Sequence, residues 1–154
     1  MKKPPSPNAR VPGRGCRAVL AVAALALMAA APAGVAVEGA WMRSIIPSRP
    51  AAGYFTLDNT SGTELSLVAA SSPACGMLML HESMDMGGQA TMKMVPAIKV
   101  PAHGKVTFSP GGYHLMCIHP TSAMQHGATV PVTLRFSNGD AITTPFPVRN
   151  ALGK

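Results

Sequence analysis

From about residue 37 onward, apolar and polar positions alternate over short runs that are separated by turn residues, which is typical of β-strands. No run keeps the helical period long enough to predict a helix. The predicted strands are Val37–Ile46, Gly53–Asp58, Glu64–Ala70, Gly76–His81, Thr91–Val95, Lys105–Ser109, Tyr113–His119, Thr129–Ser137 and Ala141–Val148. Many short strands at this spacing predict an all-β fold, an antiparallel sandwich or Greek-key barrel.

The clearest turn is Asn138-Gly139, which lies between two alternating apolar runs. Both residue types accept a positive φ, so the pair predicts a β-hairpin with a type I′ turn. Further turns are predicted at residues 59–62, 101–104 and 110–112, where Gly, Pro, Asn and Ser gather.

The first 36 residues have a different pattern. Five basic residues lie among the first seventeen, an apolar run extends from Ala18 to about Ala31, and small residues follow. This order predicts a cleaved secretory signal peptide at residues 1–36 and one domain at residues 37–154. A membrane anchor is the alternative, but Pro32 and Gly34 interrupt the run before the roughly 20 residues of a spanning helix. We therefore expect a periplasmic protein without a membrane span.

Removal of that leader changes the charge and leaves two cysteines. The formal net charge falls from +7 to +2, because five of the thirteen Lys and Arg lie in residues 1–36 and all six Asp and Glu lie after them. No basic stripe then remains for nucleic acid. Cys75 and Cys117 would meet an oxidising compartment, where they could form a disulfide or stay free as soft metal ligands. The sequence leaves both alternatives open.

The candidate chemistry lies in four residues: His81, Met92 after ten intervening residues, His114 after twenty-one more, and Met116 after one. Alternate side chains of a strand share a face, so His114 and Met116 should project together, away from Leu115. Two imidazoles and two thioethers form a soft, neutral ligand set that selects Cu(I). We expect the loop between His81 and Met92 to close one side of the site.

Other methionines and histidines have plainer interpretations. Nine methionines follow residue 36, and six of them lie between Met77 and Met94. We expect four of the methionines to pack in the core or lie on the surface: Met77, Met79, Met94 and Met124. We expect three of the histidines to be exposed: His103, His119 and His126. The sequence leaves undetermined whether His119 and His126 form a second, Cu(II) site.

The four-residue pattern resembles the H-x10-M-x21-H-x-M motif of the periplasmic copper chaperones of the PCuAC type. Further segments also resemble blocks of that family: Val37-Glu38-Gly39-Ala40-Trp41, Leu80-His81-Glu82, Met92-Lys93-Met94-Val95-Pro96 and Pro110-Gly111-Gly112-Tyr113-His114-Leu115-Met116. The resemblance implies a cupredoxin-like β-barrel that binds one Cu(I) and delivers it to the copper centres of cytochrome c oxidase, or to another copper-accepting protein. We expect a monomer. Cys75 and Cys117 depart from the family pattern.

Three other functions are alternatives to copper delivery. A cupredoxin-type electron carrier needs two His, one Cys and a weak axial Met, a set that Cys117, His119 and Met124 offer with His81. Only Ile118 separates Cys117 from His119, however, which is too short an interval for such a site. The others are periplasmic copper storage or resistance, and an adhesion or structural sandwich without copper. No nucleophile and base accompany the ligands, so we do not expect an enzyme.

Overall fold

The computed structural model describes residues 34–154, so nearly all of the predicted signal peptide lies outside the described residues. Ten strands are present: β1 (Val35–Arg43), β2 (Ala51–Asn59), β3 (Leu65–Ser71), β4 (Cys75–Asp85), β5 (Ala90–Met94), β6 (Ile98–Val100), β7 (Gly104–Phe108), β8 (Tyr113–Pro120), β9 (Thr129–Phe136) and β10 (Ala141–Arg149). The prediction of an all-β fold is confirmed. Of the described residues, none form a helix long and apolar enough to cross a membrane.

The strands lie in the order β5-β4-β8-β2-β1-β10-β9-β3-β6, and β7 also pairs with β2. Among the paired strands of residues 34–154, only β1 and β10 run parallel, through Met42 with Val148 and Arg43 with Arg149. This contact joins one sheet, which contains β4, β5 and β8, to the other, which contains β9, β3 and β6. The mostly antiparallel arrangement agrees with the predicted sandwich.

The core lies between the sheets and is formed largely by alternate residues of the strands other than β5, whose five residues are all exposed. Leu57, Leu67, Leu134 and Phe146 are completely buried. On β8, Leu115 and Cys117 are also fully buried, which confirms the predicted inward face of that strand. Met124 is buried in the same core, so its predicted packing role is confirmed.

A disulfide joins Cys75, the first residue of β4, to Cys117 in β8. Their Cα atoms are 5.5 Å apart, an ordinary separation for a bridged pair. The disulfide alternative is therefore confirmed, and the alternative of two free thiols is wrong for this structure. The bond connects the two strands that contain His81 and His114.

The hairpin at Asn138-Gly139 is present between β9 and β10, but its predicted turn type is wrong. Gly139 has a φ of +90°, whereas Asn138 is not among the described residues with positive φ. The Gly139 N–H donates to the Phe136 carbonyl at 3.0 Å, so Ser137 and Asn138 occupy the centre of the turn. A three-residue loop that ends in a left-handed glycine accommodates the strand twist as a type I′ turn does.

The segment between His81 and Met92 also differs from the prediction. β4 continues to Asp85 and β5 begins at Ala90, so a β-hairpin replaces the predicted loop. The turn itself spans only residues 86–89, where the Met86 N–H donates to the Gln89 carbonyl. Met92 consequently belongs to a strand whose register against β4 is fixed.

Candidate metal centre

Both predicted histidines lie side by side on neighbouring antiparallel strands. His81 of β4 is the direct register partner of His114 of β8. Their ring centroids are 5.7 Å apart, and the ring planes are inclined at 70°. The next pair on the same face joins Met79 to Met116. The register therefore places two imidazoles and a thioether of the predicted set within two adjacent cross-strand pairs.

The β4–β5 hairpin adds methionine from the other side of His81. Met94 lies directly opposite His81, and Met92 lies opposite Ser83, two pairs nearer the turn. Residues that face each other across a pair share one side of the sheet. Met92 therefore projects to the same side as His81 and His114, as its predicted role requires.

A cavity of about 220 Å³ lies on this side of the sheet. Three of the four predicted residues line it: Met92, His114 and Met116. His81 is not among its lining residues but lies against His114. The remaining walls come from β1, β2, β4 and the segments before β2 and before β8: Arg43, Pro50, Ala51, Ala52, Tyr54, Ser83, Pro110 and Gly111. The structure thus places three of the four predicted residues around one cavity and the fourth, His81, against His114.

The hydrogen bonds of His114 fix which nitrogen can bind a metal. Its ring is buried, and Nδ1 lies 3.1 Å from the Gly112 carbonyl, which can only accept. In the neutral ring, Nδ1 therefore carries the proton, and the lone pair available to a metal ion is on Nε2. In metal-binding histidines, the ring nitrogen that does not bind the metal commonly donates a hydrogen bond to a carbonyl, which orients the ring. The same carbonyl accepts the Ser83 N–H at 3.0 Å, which ties it to β4.

The surroundings of His81 favour its neutral form and leave one of its ring nitrogens without a hydrogen-bond partner. Its Nδ1 is buried and has no hydrogen-bond partner among the described residues. Burial lowers the pKa of His81 below its ordinary value of 6.5, and the neighbouring His114 lowers this pKa further. A neutral imidazole is the form that binds metal ions. An unpaired buried nitrogen costs free energy that a bound metal ion would offset.

The charge around the cavity favours a soft, monovalent ion. The described residues that line it include no carboxylate, and Arg43 supplies a positive charge that stacks 5.4 Å over the Tyr54 ring. Burial raises the pKa of Tyr54, although Arg43 opposes this effect, so its phenol stays neutral. In residues 34–154, no three His, Cys, Asp or Glu side chains are close enough to hold a metal ion. The cavity lining also contains the thioethers of Met92 and Met116, a ligand type that suits soft cations.

The other histidines remain outside the cavity. His103, His119 and His126 are exposed, as predicted, and the first two have positive φ values of 52° and 50°. His126 contacts the Ser44 carbonyl through Nε2. Because Cys117 faces the core in a disulfide and Met124 is buried there, the structure does not assemble the electron-carrier ligand set. That alternative lacks its cysteine ligand.

Sequence reasoning missed three parts of this site. The Gly112 carbonyl, Arg43 and Tyr54 all contribute to it, yet none has a ligating side chain in the motif. The Gly112 role depends on backbone geometry, which composition does not reveal. Arg43 and Tyr54 reach the cavity only because β1 and β2 pair next to β8.

Comparison with known proteins agrees with this architecture. The model of the family described as "Putative lipoprotein LpqE-like" matches residues 35–148. The chain belongs to the LpqE-like family. A relative from Leifsonia xyli subsp. xyli, the putative lipoprotein Lxx21020, is 31% identical over 121 residues, which cover 78% of this chain and 72% of that protein. The uncharacterized protein RP573 of Rickettsia prowazekii is 29% identical to this LpqE-like chain over 86 residues, which cover 55% of this chain and 48% of that protein.

Solved structures confirm the resemblance to PCuAC proteins. The solution structure of Cu(I)-bound DR1885 from Deinococcus radiodurans is 31% identical to this LpqE-like protein, with a TM-score of 0.64. The match covers 80% of this chain and 83% of that one. The copper-bound PCuAC domain from PmoF2 has a TM-score of 0.63 over 76% of this chain and 93% of that domain; at 19% identity it shows the fold alone. The predicted cupredoxin-like fold is thereby confirmed.

Proposed function

We propose that this LpqE-like protein is an extracytoplasmic copper chaperone. It binds one Cu(I) through His81, Met92, His114 and Met116 and delivers the ion to the copper centres of cytochrome c oxidase. The observation that supports this function most is the paired arrangement of His81 and His114, 5.7 Å apart, beside the cavity that Met92 and Met116 line.

The distance between the rings suits two imidazoles on one ion. Metal–nitrogen bonds of about 2.0 Å place the centroids of two rings on a shared ion roughly 5 to 6 Å apart. The observed separation of 5.7 Å lies in that range. Thioethers from Met92 and Met116 would complete a neutral set, which leaves the charge of the ion in place and favours Cu(I) over Cu(II).

The position of the ligands supports release as well as binding. Met92 is 60% exposed on the hairpin, whereas His114 is 4% exposed. An acceptor could therefore displace the Met92 thioether first and reach the buried imidazole last. Stepwise exchange of ligands then moves the ion without leaving it free in solution.

An anaerobic titration against a competing Cu(I) chelator tests the ligand set. Met116→Ala should weaken Cu(I) binding by about ten-fold or more, since loss even of a residue that only supports a ligand has effects of that size. Met86→Leu is the matched control, because Met86 is 63% exposed in the hairpin turn and does not line the cavity. Unchanged affinity in Met116→Ala would remove this residue from the site.

Delivery and location need separate experiments. The PCuAC resemblance supports an oxidase acceptor, and the description of the family as putative lipoproteins supports a place outside the cytoplasm. Copper-loaded protein mixed with the soluble copper-binding domain of an oxidase subunit should lose its Cu(I) to that domain. Retention of the ion, or binding of many ions for each chain, would instead indicate storage.

A further inference from the structure

Two methionines outside the proposed ligand set lie next to His81. Met94 faces His81 directly across the β4–β5 pair, and Met79 precedes His81 by two residues on the same face. Met79 and Met94 are thus diagonal neighbours, about 7–8 Å apart at the backbone and within reach of long side chains. Both line a second cavity of about 200 Å³, which is distinct from the cavity of Met92, His114 and Met116.

Core packing does not explain Met94. Its side chain is 66% exposed, and all five residues of β5 are exposed. A large apolar side chain in that position gains little from burial, and Thr or Lys would suit a solvent-facing strand. The second cavity is otherwise apolar, with walls from β3, β4 and the segment after β5: Val68, Ala69, Ala70, Leu78, Leu80, Val95 and Pro96. The two sulfur atoms are its side-chain groups with affinity for a soft cation.

His81 lies on β4, between the strands that contain His114 and Met94, and lines neither cavity. It is the register partner of His114 on one side and of Met94 on the other, and its Nδ1 is buried without a partner. We propose that Met79 and Met94, together with His81, form a second and weaker Cu(I) site, through which the ion enters or leaves the primary site. This inference rests on the proposed function of the primary site.

The transfer is an exchange of ligands without redox chemistry. As the ion moves, bonds to His114, Met92 and Met116 break and bonds to Met79 and Met94 form, while His81 remains bound throughout. The ion keeps its +1 charge and all ligands stay neutral. The second set has three donors against four in the first, so the ion occupies it less and leaves it more readily.

The first experiment observes where Cu(I) binds when the primary site is damaged. In protein labelled with ¹³C at the methionine methyl groups, one equivalent of Cu(I) should shift the Met92 and Met116 signals of the wild type. In His114→Ala, Cu(I) should instead shift the Met79 and Met94 signals. Silent Met79 and Met94 signals in this variant would overturn the second site. Silent Met92 and Met116 signals in the wild type would instead overturn the proposed function.

The second experiment measures the rate at which copper leaves. The double variant Met79→Leu/Met94→Leu keeps the apolar volume and should fold, since such replacements are well tolerated. It should retain the wild-type Cu(I) affinity but transfer the ion more slowly to a chelator. Met77→Leu/Met86→Leu is the control, because it also removes two methionines, both of them exposed, and neither lines either of the two cavities. Equal transfer rates in wild type and both variants would contradict the proposal.

Discussion

At the scale of single residues, the sequence predicts which side chains share a strand face but not which strands meet. The alternation in β8 correctly places His114 and Met116 on one side and Leu115 and Cys117 in the core. The pairing of His81 with His114 depends on β4 lying next to β8, a long-range contact that no local pattern encodes. For the same reason, the sequence could not reveal that Met94, and not Met92, faces His81.

We expect Cu(I) affinity to fall as the pH falls, because protons compete with the ion for His81 and His114. Burial and the neighbouring His114 lower the pKa of His81, so this residue remains competent at a lower pH than an exposed histidine. The competitive titration repeated between about pH 7 and pH 5, where imidazoles titrate, measures the effect.

The matched variant for that experiment is His81→Met, which replaces a titrating ligand by a thioether that does not bind protons. The Cu(I) affinity of this variant should fall less steeply with decreasing pH than that of the wild type, because one proton fewer competes with the ion. An affinity of the wild type that does not change over this pH range would show that imidazole does not bind the ion.

Gly53 is a residue whose lack of a side chain permits the contact between β2 and β8. A Cβ there would lie 2.9 Å from the Met42 sulfur and 3.1 Å from the Leu115 Cβ. Gly53→Ala should therefore destabilise the fold by about 1–3 kcal/mol through overpacking, as measured by urea denaturation. Gly62→Ala is the control, because its Cβ would make only ordinary contact with His103 at 3.7 Å. Equal stability of the two variants would contradict this explanation.

At the scale of elements, alternation and turn residues predict nine of the ten strands with small errors at their ends. β6 was missed because its three residues, Ile98–Val100, lie between Pro96 and Pro101 and are too short to show a period. The extension of β4 to Asp85 was missed because Met84 and Asp85 precede two glycines and look like a loop. Pairing with β5 gives these residues a strand conformation that their local sequence does not favour.

The disulfide is an element-scale constraint, because it fixes β4 to β8. In the denatured protein, a thiol count after reduction should exceed the count before reduction by two. The bond closes a chain separation of 42 residues, so its loss should lower the free energy of unfolding by about 4 kcal/mol. Denaturation with and without reductant checks the value. Because seven register pairs also join β4 to β8, the reduced protein should still bind Cu(I).

At the scale of the whole molecule, the fold places polar chemistry on one side of a sheet whose other side is core. Leu78, Leu80 and Leu115 pack inward from the same two strands that present His81 and His114 outward. The proposed primary site would therefore take its ligands from β4, β5 and β8, and its outermost residues, His81 and Met116, lie 35 positions apart along the chain. The site exists only when these strands are paired.

This dependence predicts that Cu(I) stabilises the folded protein. A ligand that binds only the native state stabilises it by about 2.7 kcal/mol when its free concentration is one hundred times its dissociation constant. Denaturation in a chelator-buffered series of Cu(I) concentrations should therefore show a free energy of unfolding that rises with the logarithm of free Cu(I). His114→Ala should show a smaller rise at each concentration, and Met86→Leu should match the wild type. An unchanged stability of the wild type in Cu(I) would mean that the unfolded chain binds the ion as well as the folded protein does. In that case, the pairing of the strands would not be the origin of the Cu(I) affinity.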